Sequence, residues 1–155
     1  PDRDPLGAGW NKRQSEIAVG SGGRWGKGYR NGTQNILGFL PRSVSSTDFI
    51  FSVIAEEMGF AGSVTVLCLY AGLFGAVAWV GFGCRDAAGR LLCAGVGALL
   101  FVHVFVNIAM TVGRMPITGL PLPLVSYGGS FTISTMALLG LVQSVALHGR
   151  LERSQ

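Results

Sequence analysis

The sequence predicts an all-α polytopic membrane protein: a Gly-rich extracytoplasmic loop followed by about three transmembrane helices, the last preceded by a Pro/Gly-broken segment. Two observations carry this. Only 13% of the 155 residues are charged and the mean hydropathy is +0.47, whereas soluble domains carry about 25% charged residues. The charges are also segregated, with no Asp, Glu, Lys or Arg in 58–84, 91–113 or 115–147. A membrane span needs about 20 apolar residues at 1.5 Å rise each. The first two stretches therefore read as spans 58–84 and 91–113, and the third contains a span over 130–147.

Residues 1–57 are polar and turn-rich. Gly20, Gly22, Gly23, Gly26, Gly28 and Gly32 crowd one short stretch, a density that disfavours a regular helix and suits backbone lying close to a ligand or to other backbone. Ser45, Ser46, Thr47 and Asp48 then precede an apolar run. These are N-capping residue types, so a helix is expected from about Thr47 or Asp48, with a kink near Gly59 and Gly62, continuing into the first span.

In the second span His103, Asn107 and Thr111 recur every fourth residue, a polar stripe on one face. Polar side chains in lipid turn into the bundle, where interhelical hydrogen bonding is their plainest role. The third span is interrupted by Pro116, Pro121 and Pro123, followed by Ser126, Tyr127, Gly128 and Gly129. Proline removes a backbone donor, and irregular backbone at membrane depth survives only where protein covers it or water reaches it. The segment reads as a functional candidate or a turn at the membrane surface, with helix resuming near Ser130.

The basic residues set the orientation. Arg85, Arg90, Arg150 and Arg153 fall on one side by parity, against Arg42 and Arg114 on the other. Positive residues favour the cytoplasm, which places the C-terminus there and residues 1–57 outside. The net charge of +4 is not gathered into a stripe or run, so nucleic acid is excluded as a partner and anionic lipid is the better match. Cys68, Cys84 and Cys93 are odd in number and lack framework spacing; His103 and His148 stand apart, so no metal-ligand set is read. The sequence opens on Pro1 without a basic or apolar leader. Three spans make a poor independent domain, and the expectation is the C-terminal fragment of a larger protein, inactive alone.

Two regions carry candidate chemistry. The stretch from Gly20 to Gly28 fails the phosphate-loop spacing, since Ser21 and Gly28 stand where that motif requires Gly and Ser or Thr. A flexible loop with Arg24, Lys27 and Arg30 still suits a diphosphate through N–H groups and cations; the alternative is a solvated loop beside lipid headgroups. Asp48 reads either as an N-cap or as a carboxylate poised where water meets lipid. On a helix it lies about 12 Å along the axis from Glu56, too far for a glycosidase pair, which needs about 5–9.5 Å. A glycosyl transfer that expels a diphosphate needs only one carboxylate as base, with cations on the leaving group.

These residues also carry a resemblance. The runs Asp4–Trp10, Gln14–Gly23, Gly26–Gly28, Asn31–Gln34 and Phe39–Pro41 are similar to the large extracytoplasmic loop of the SEDS family, whose branches are RodA, FtsW and SpoVE. Thr47–Gly59 and Pro121–Ser130 resemble its two most recognisable stretches. The Gly-Thr-Gln at 32–34 and Pro-Leu-Pro-Leu-Val at 121–125 are most like the C-terminal part of its rod-elongation branch.

The resemblance implies a peptidoglycan glycosyltransferase of the bacterial inner membrane that polymerises lipid II during elongation, working with a class B penicillin-binding protein. It implies Asp48 as the catalytic carboxylate and Lys27, Arg30, Gln34, Ser126 and Tyr127 as substrate contacts. It leaves cofactors unknown and a divalent-cation requirement open. Arg42–Ser46 departs from the family pattern, lacking its acidic residue and running longer. A lipid II flippase and a non-catalytic scaffold for cell-wall synthases stay open beside the polymerase reading; Asp48→Asn separates them, since only the polymerase needs a base.

Overall fold

The computed structural model describes residues 8–28 and 47–151, and all its regular elements there are helices. They are α1 (Ala8–Ser21), α2 (Ile50–Gly83), α3 (Ala87–Thr111) and α4 (Gly129–Leu151). Ile50–Gly83, Ala87–Thr111 and Gly129–His148 are each long and apolar enough to cross a membrane. Their outward faces carry bulky apolar groups such as Leu69, Trp79 and Phe82, as befits helices whose surroundings are lipid or further spans. The all-helical membrane class is borne out.

Helix α1 lies where a loop was expected. The glycine cluster begins only at Gly20; upstream of it Lys12, Arg13, Gln14, Glu16 and Ala18 are sound helix formers. Gln14, Ser15 and Ala18 share one buried face. The Ser15 hydroxyl donates to the Thr111 carbonyl at 2.9 Å, tying α1 to the end of α3.

The start of α2 also differs from expectation. Phe49 occupies the N-cap position without a side-chain cap, and Asp48 stands one residue before it. The Phe49 ring is fully buried. Its carbonyl accepts from Ser52 N–H at 3.1 Å, Val53 N–H at 3.3 Å and the Ser52 hydroxyl at 2.7 Å, so backbone and Ser52 open the helix while the Asp48 carboxylate stays out of the cap. The break in α2 falls at Gly59, whose φ of 66° and ψ of −159° are non-helical.

Asp86 caps α3, accepting from Gly89 N–H at 3.1 Å, an ordinary N-cap bond. Helices α2, α3 and α4 meet around Val77, Cys93, Val96, Leu100 and Val142. A second cluster of Phe51, Tyr70, Val104 and Leu122 packs the broken segment against α2 and α3. Because lipid is as apolar as these side chains, packing fit and polar contacts, rather than escape from water, hold the bundle.

Candidate functional site

The site is built where α2 begins. Two pieces of chain, α3 and the broken segment, converge on Thr47 and Asp48, and each grips the backbone. Asn107, fully buried on α3, donates from Nδ2 to the carbonyls of Asp48 at 2.9 Å and Leu120 at 2.8 Å. Ser126 donates from its hydroxyl to the Thr47 carbonyl at 2.5 Å and accepts from Leu122 N–H at 2.7 Å. The polar stripe on α3 thus includes an anchor to two irregular segments, the one before α2 and the one after α3. Its other members bond at home: Thr111 to the Ile108 carbonyl and His103 to the Leu99 carbonyl.

The segment between α3 and α4 makes its turns at left-handed residues: Gly113 at φ 78°, Gly119 at 68° and Leu124 at 65°. A turn over Leu122–Ser126 is closed by Val125 N–H and Ser126 N–H to the Leu122 carbonyl. Leu122 and Pro123 are buried, and the Tyr70 hydroxyl donates to the Pro123 carbonyl. Protein covers this segment at Leu122, Pro123 and Ser126, while Gly119, Leu124, Val125 and Tyr127 are exposed. Gly119 faces the Asp48 carboxylate closely enough that a Cβ there would lie 3.7 Å from Oδ2.

Asp48 itself is half-buried, and among the described residues no group hydrogen-bonds its carboxylate. Its backbone is fixed while its side chain is unspent. That is the arrangement a general base requires, with position set by neighbours and lone pairs left for a proton.

The other expected residues fall in different places. Ser126 is buried with both its polar functions used in the fold, whereas Tyr127 is 82% exposed. Lys27 is not near Ser126: its ammonium lies 2.8 Å from Glu56 Oε1 and 2.9 Å from the Ser21 hydroxyl, two helical turns along α2 from Asp48. Arg30 and Gln34 lie outside the described residues. Glu56, 1% exposed, had not stood out as a site residue; its place on one helix face with Asp48 and Ser52 was its only signal. An apolar hollow of about 370 Å³ between α2 and α3 is lined mainly by Phe74, Val77, Gly81, Cys93, Gly97 and Phe101. It lacks groups for acid–base work and we place no chemistry there. Among the described residues no three His, Cys, Asp or Glu side chains are grouped to hold a metal ion.

Three apolar helices long enough to cross a membrane, with a broken segment packed against the start of α2, define an integral membrane protein. The chain belongs to the FtsW/RodA/SpoVE family: the model of that family, described as cell cycle protein, matches residues 1–151. The peptidoglycan glycosyltransferase MrdB of Escherichia coli (strain K12) is 48% identical over 151 residues, covering 97% of this chain and 40% of MrdB. The peptidoglycan glycosyltransferase RodA of Treponema pallidum (strain Nichols) is 47% identical over 145 residues, covering 94% of this chain and 33% of RodA.

Among solved structures, a peptidoglycan synthase complex described as coordinating polymerization and crosslinking has a chain that superposes with a TM-score of 0.77. It shares 37% identity over 95% of this chain and 38% of its own. A mutant of the rod shape determining protein RodA of Thermus thermophilus gives a TM-score of 0.63 at 45% identity, over 66% of this chain and 35% of its own. The chain therefore spans about 40% or less of the length of these relatives.

Proposed function

We propose that this chain is the C-terminal, base-bearing part of a peptidoglycan glycosyltransferase that polymerises lipid II during cell elongation, and that Asp48 is its general base. The observation that carries the reading is the unspent Asp48 carboxylate on a backbone pinned by Asn107 and Ser126, in a chain 48% identical to a peptidoglycan glycosyltransferase. In the reaction, Asp48 accepts the proton of the acceptor's GlcNAc 4-hydroxyl. That oxygen bonds to the anomeric carbon of the donor MurNAc as the bond to undecaprenyl diphosphate breaks and the diphosphate leaves with the electron pair. One positioned base contributes about 10²–10⁴-fold, and cations near the diphosphate stabilise the leaving group.

Tyr127, exposed beside the pinned turn, and Arg30 and Gln34 are the candidates for contact with substrate; Lys27 and Ser126 act through the fold. Residues 1–57 face the outside of the cytoplasmic membrane and the C-terminus faces the cytoplasm. A class B penicillin-binding protein is the partner, a reading supported by the structural likeness to a chain of a peptidoglycan synthase complex.

The test is lipid II polymerisation by the full-length protein with its penicillin-binding partner, comparing wild type with Asp48→Asn. Asn retains the backbone carbonyl that Asn107 holds, so the fold persists and glycan polymer disappears. A folded Asp48→Asn protein that polymerises at the wild-type rate overturns the assignment of the base. Lipid II translocation by both forms without polymer would mark a transporter.

A further inference from the structure

The break in α2 is not an open gap in its hydrogen-bond ladder. An unbroken helix would pair Phe60 and Ala61 N–H with the carbonyls of Glu56 and Glu57. Instead, the Gly-rich loop after α1 is inserted between those partners. Lys27 N–H donates to the Glu56 carbonyl and Gly28 N–H to the Glu57 carbonyl, both at 3.0 Å. Phe60 N–H donates to the Gly23 carbonyl at 2.8 Å and Ala61 N–H to the Arg24 carbonyl at 3.2 Å. All four groups orphaned by the break are satisfied by loop backbone.

The approach is close enough to require glycine. A Cβ on Gly22 would lie 1.9 Å from the Ala55 carbonyl oxygen, one on Gly26 2.1 Å from that of Glu57, and one on Gly59 2.3 Å from Gly26 N. Beside this junction the Lys27 ammonium pairs with the buried Glu56 carboxylate at 2.8 Å.

We propose that the loop 22–28 and the Lys27–Glu56 pair form a clamp that fixes the orientation of the α2 arm, residues 50–58, and thereby places the Asp48 carboxylate. Lys27 and Glu56 are positioning residues for the reaction, with the Lys27 charge committed to Glu56 rather than to the departing diphosphate. This rests on the reading of Asp48 as the base. The arm is about 13 Å long at 1.5 Å per residue, so a swing of about 10° at Gly59 moves its far end by about 2 Å. Misplacement by about 1 Å can cost about 10²-fold in rate. Asn107 and Ser126 hold the far end of the arm, so loosening the clamp leaves a partly ordered site.

The experiment uses the full-length protein with its partner in lipid nanodiscs, in the forms wild type, Lys27→Met, Glu56→Gln, the double variant and Lys27→Arg. Two readouts are taken: amide hydrogen exchange at Lys27, Gly28, Phe60 and Ala61, and kcat and KM for lipid II. Lys27→Met and Glu56→Gln are each expected to speed exchange at those four amides and to lower kcat by roughly 10–100-fold, with KM within about threefold. The double variant should be no worse than the single ones, and Lys27→Arg should restore both readouts.

Unchanged exchange with a raised KM in Lys27→Met alone would make Lys27 a substrate contact and overturn the proposal. Faster exchange with unchanged kcat would also overturn it, leaving a purely structural junction. If Lys27→Met does not fold, Glu56→Gln and Lys27→Arg decide by the same readouts. Absence of polymerisation by the wild type would instead refute the enzymatic reading, and the exchange data would still report whether the clamp exists.

Discussion

Replacing Gly26 with alanine should release the loop from α2, and its cost can be worked from the structure. The new Cβ would sit 2.1 Å from the Glu57 carbonyl oxygen, 2.5 Å from its carbon and 2.7 Å from Gly59 N. All three atoms are backbone, so no side chain can rotate away. Restoring an ordinary contact of 3.4 Å requires the loop to retreat by about 1.3 Å (3.4 − 2.1). The bonds from Lys27 N–H and Gly28 N–H, both 3.0 Å now, do not survive that shift. Alanine at φ 78° adds left-handed strain of about 1–2 kcal/mol. Each unmade buried bond costs about 1–3 kcal/mol, less where water reaches the half-exposed loop, giving about 2–5 kcal/mol in all. Gly23→Ala separates strain from clash, because Gly23 has φ 58° but nothing within 4 Å of its Cβ position; about 1 kcal/mol is expected. Gly20→Ala, in α1 with equally open space, should be neutral or stabilising by up to about 1 kcal/mol. Thermal unfolding of the full-length protein in detergent, with amide exchange at Phe60 and Ala61, should rank Gly20→Ala at or above wild type, then Gly23→Ala, then Gly26→Ala. Equal behaviour of Gly23→Ala and Gly26→Ala would refute the seating of the loop on the helix.

Asn107→Leu removes the donor shared by the Asp48 and Leu120 carbonyls; at about 1–3 kcal/mol for each stranded group, both thermal stability and polymerisation should fall. Ser126→Ala removes the acceptor of Leu122 N–H and a donor to the Thr47 carbonyl and should lower stability by about 1–3 kcal/mol, measurable as an earlier unfolding transition. Tyr127→Ala, at an 82% exposed position, should leave stability within about 0.5 kcal/mol, and its effect should appear in the KM for lipid II. Asp86→Ala removes the N-cap of α3 for about 1 kcal/mol, with turnover per folded molecule unchanged.

The spans were legible because hydropathy over twenty residues is a bulk property that local context does not reverse. Gly59 was legible as a kink because no other residue occupies its backbone conformation at comparable ease. Helix α1 was hidden: it is polar, with Ile17 and Trp10 partly exposed, and its order comes from contacts such as Ser15 to Thr111, far along the chain. The glycine cluster announced close backbone approach, yet a diphosphate and a helix interior ask for the same glycines and the same N–H groups. Lys27 was ambiguous likewise, since a cation suits both a phosphate and a buried carboxylate. Only the placement of Glu56 opposite it separates the two. Asp48 read equally as an N-cap or as a carboxylate left free, because the two share the same neighbours in sequence and differ by one residue in helix start; the cap position falls at Phe49.

A continuous helix through position 59 would satisfy its own ladder, whereas this chain breaks two of the ladder's pairings and rebuilds both with a loop 29 to 37 residues upstream. A buried carboxylate at the junction adds a desolvation cost that its partner ammonium must offset. Stability alone does not favour this route over an alanine-filled span. What the break adds is a direction: the arm 50–58 need not follow the axis of the span, and its tip meets Asn107 and Ser126 at Asp48. Held by the clamp at one end and the two pins at the other, the arm fixes a carboxylate to which no described group is bonded. Displacing the loop while both pins stay intact should therefore lower turnover even in the molecules that remain folded.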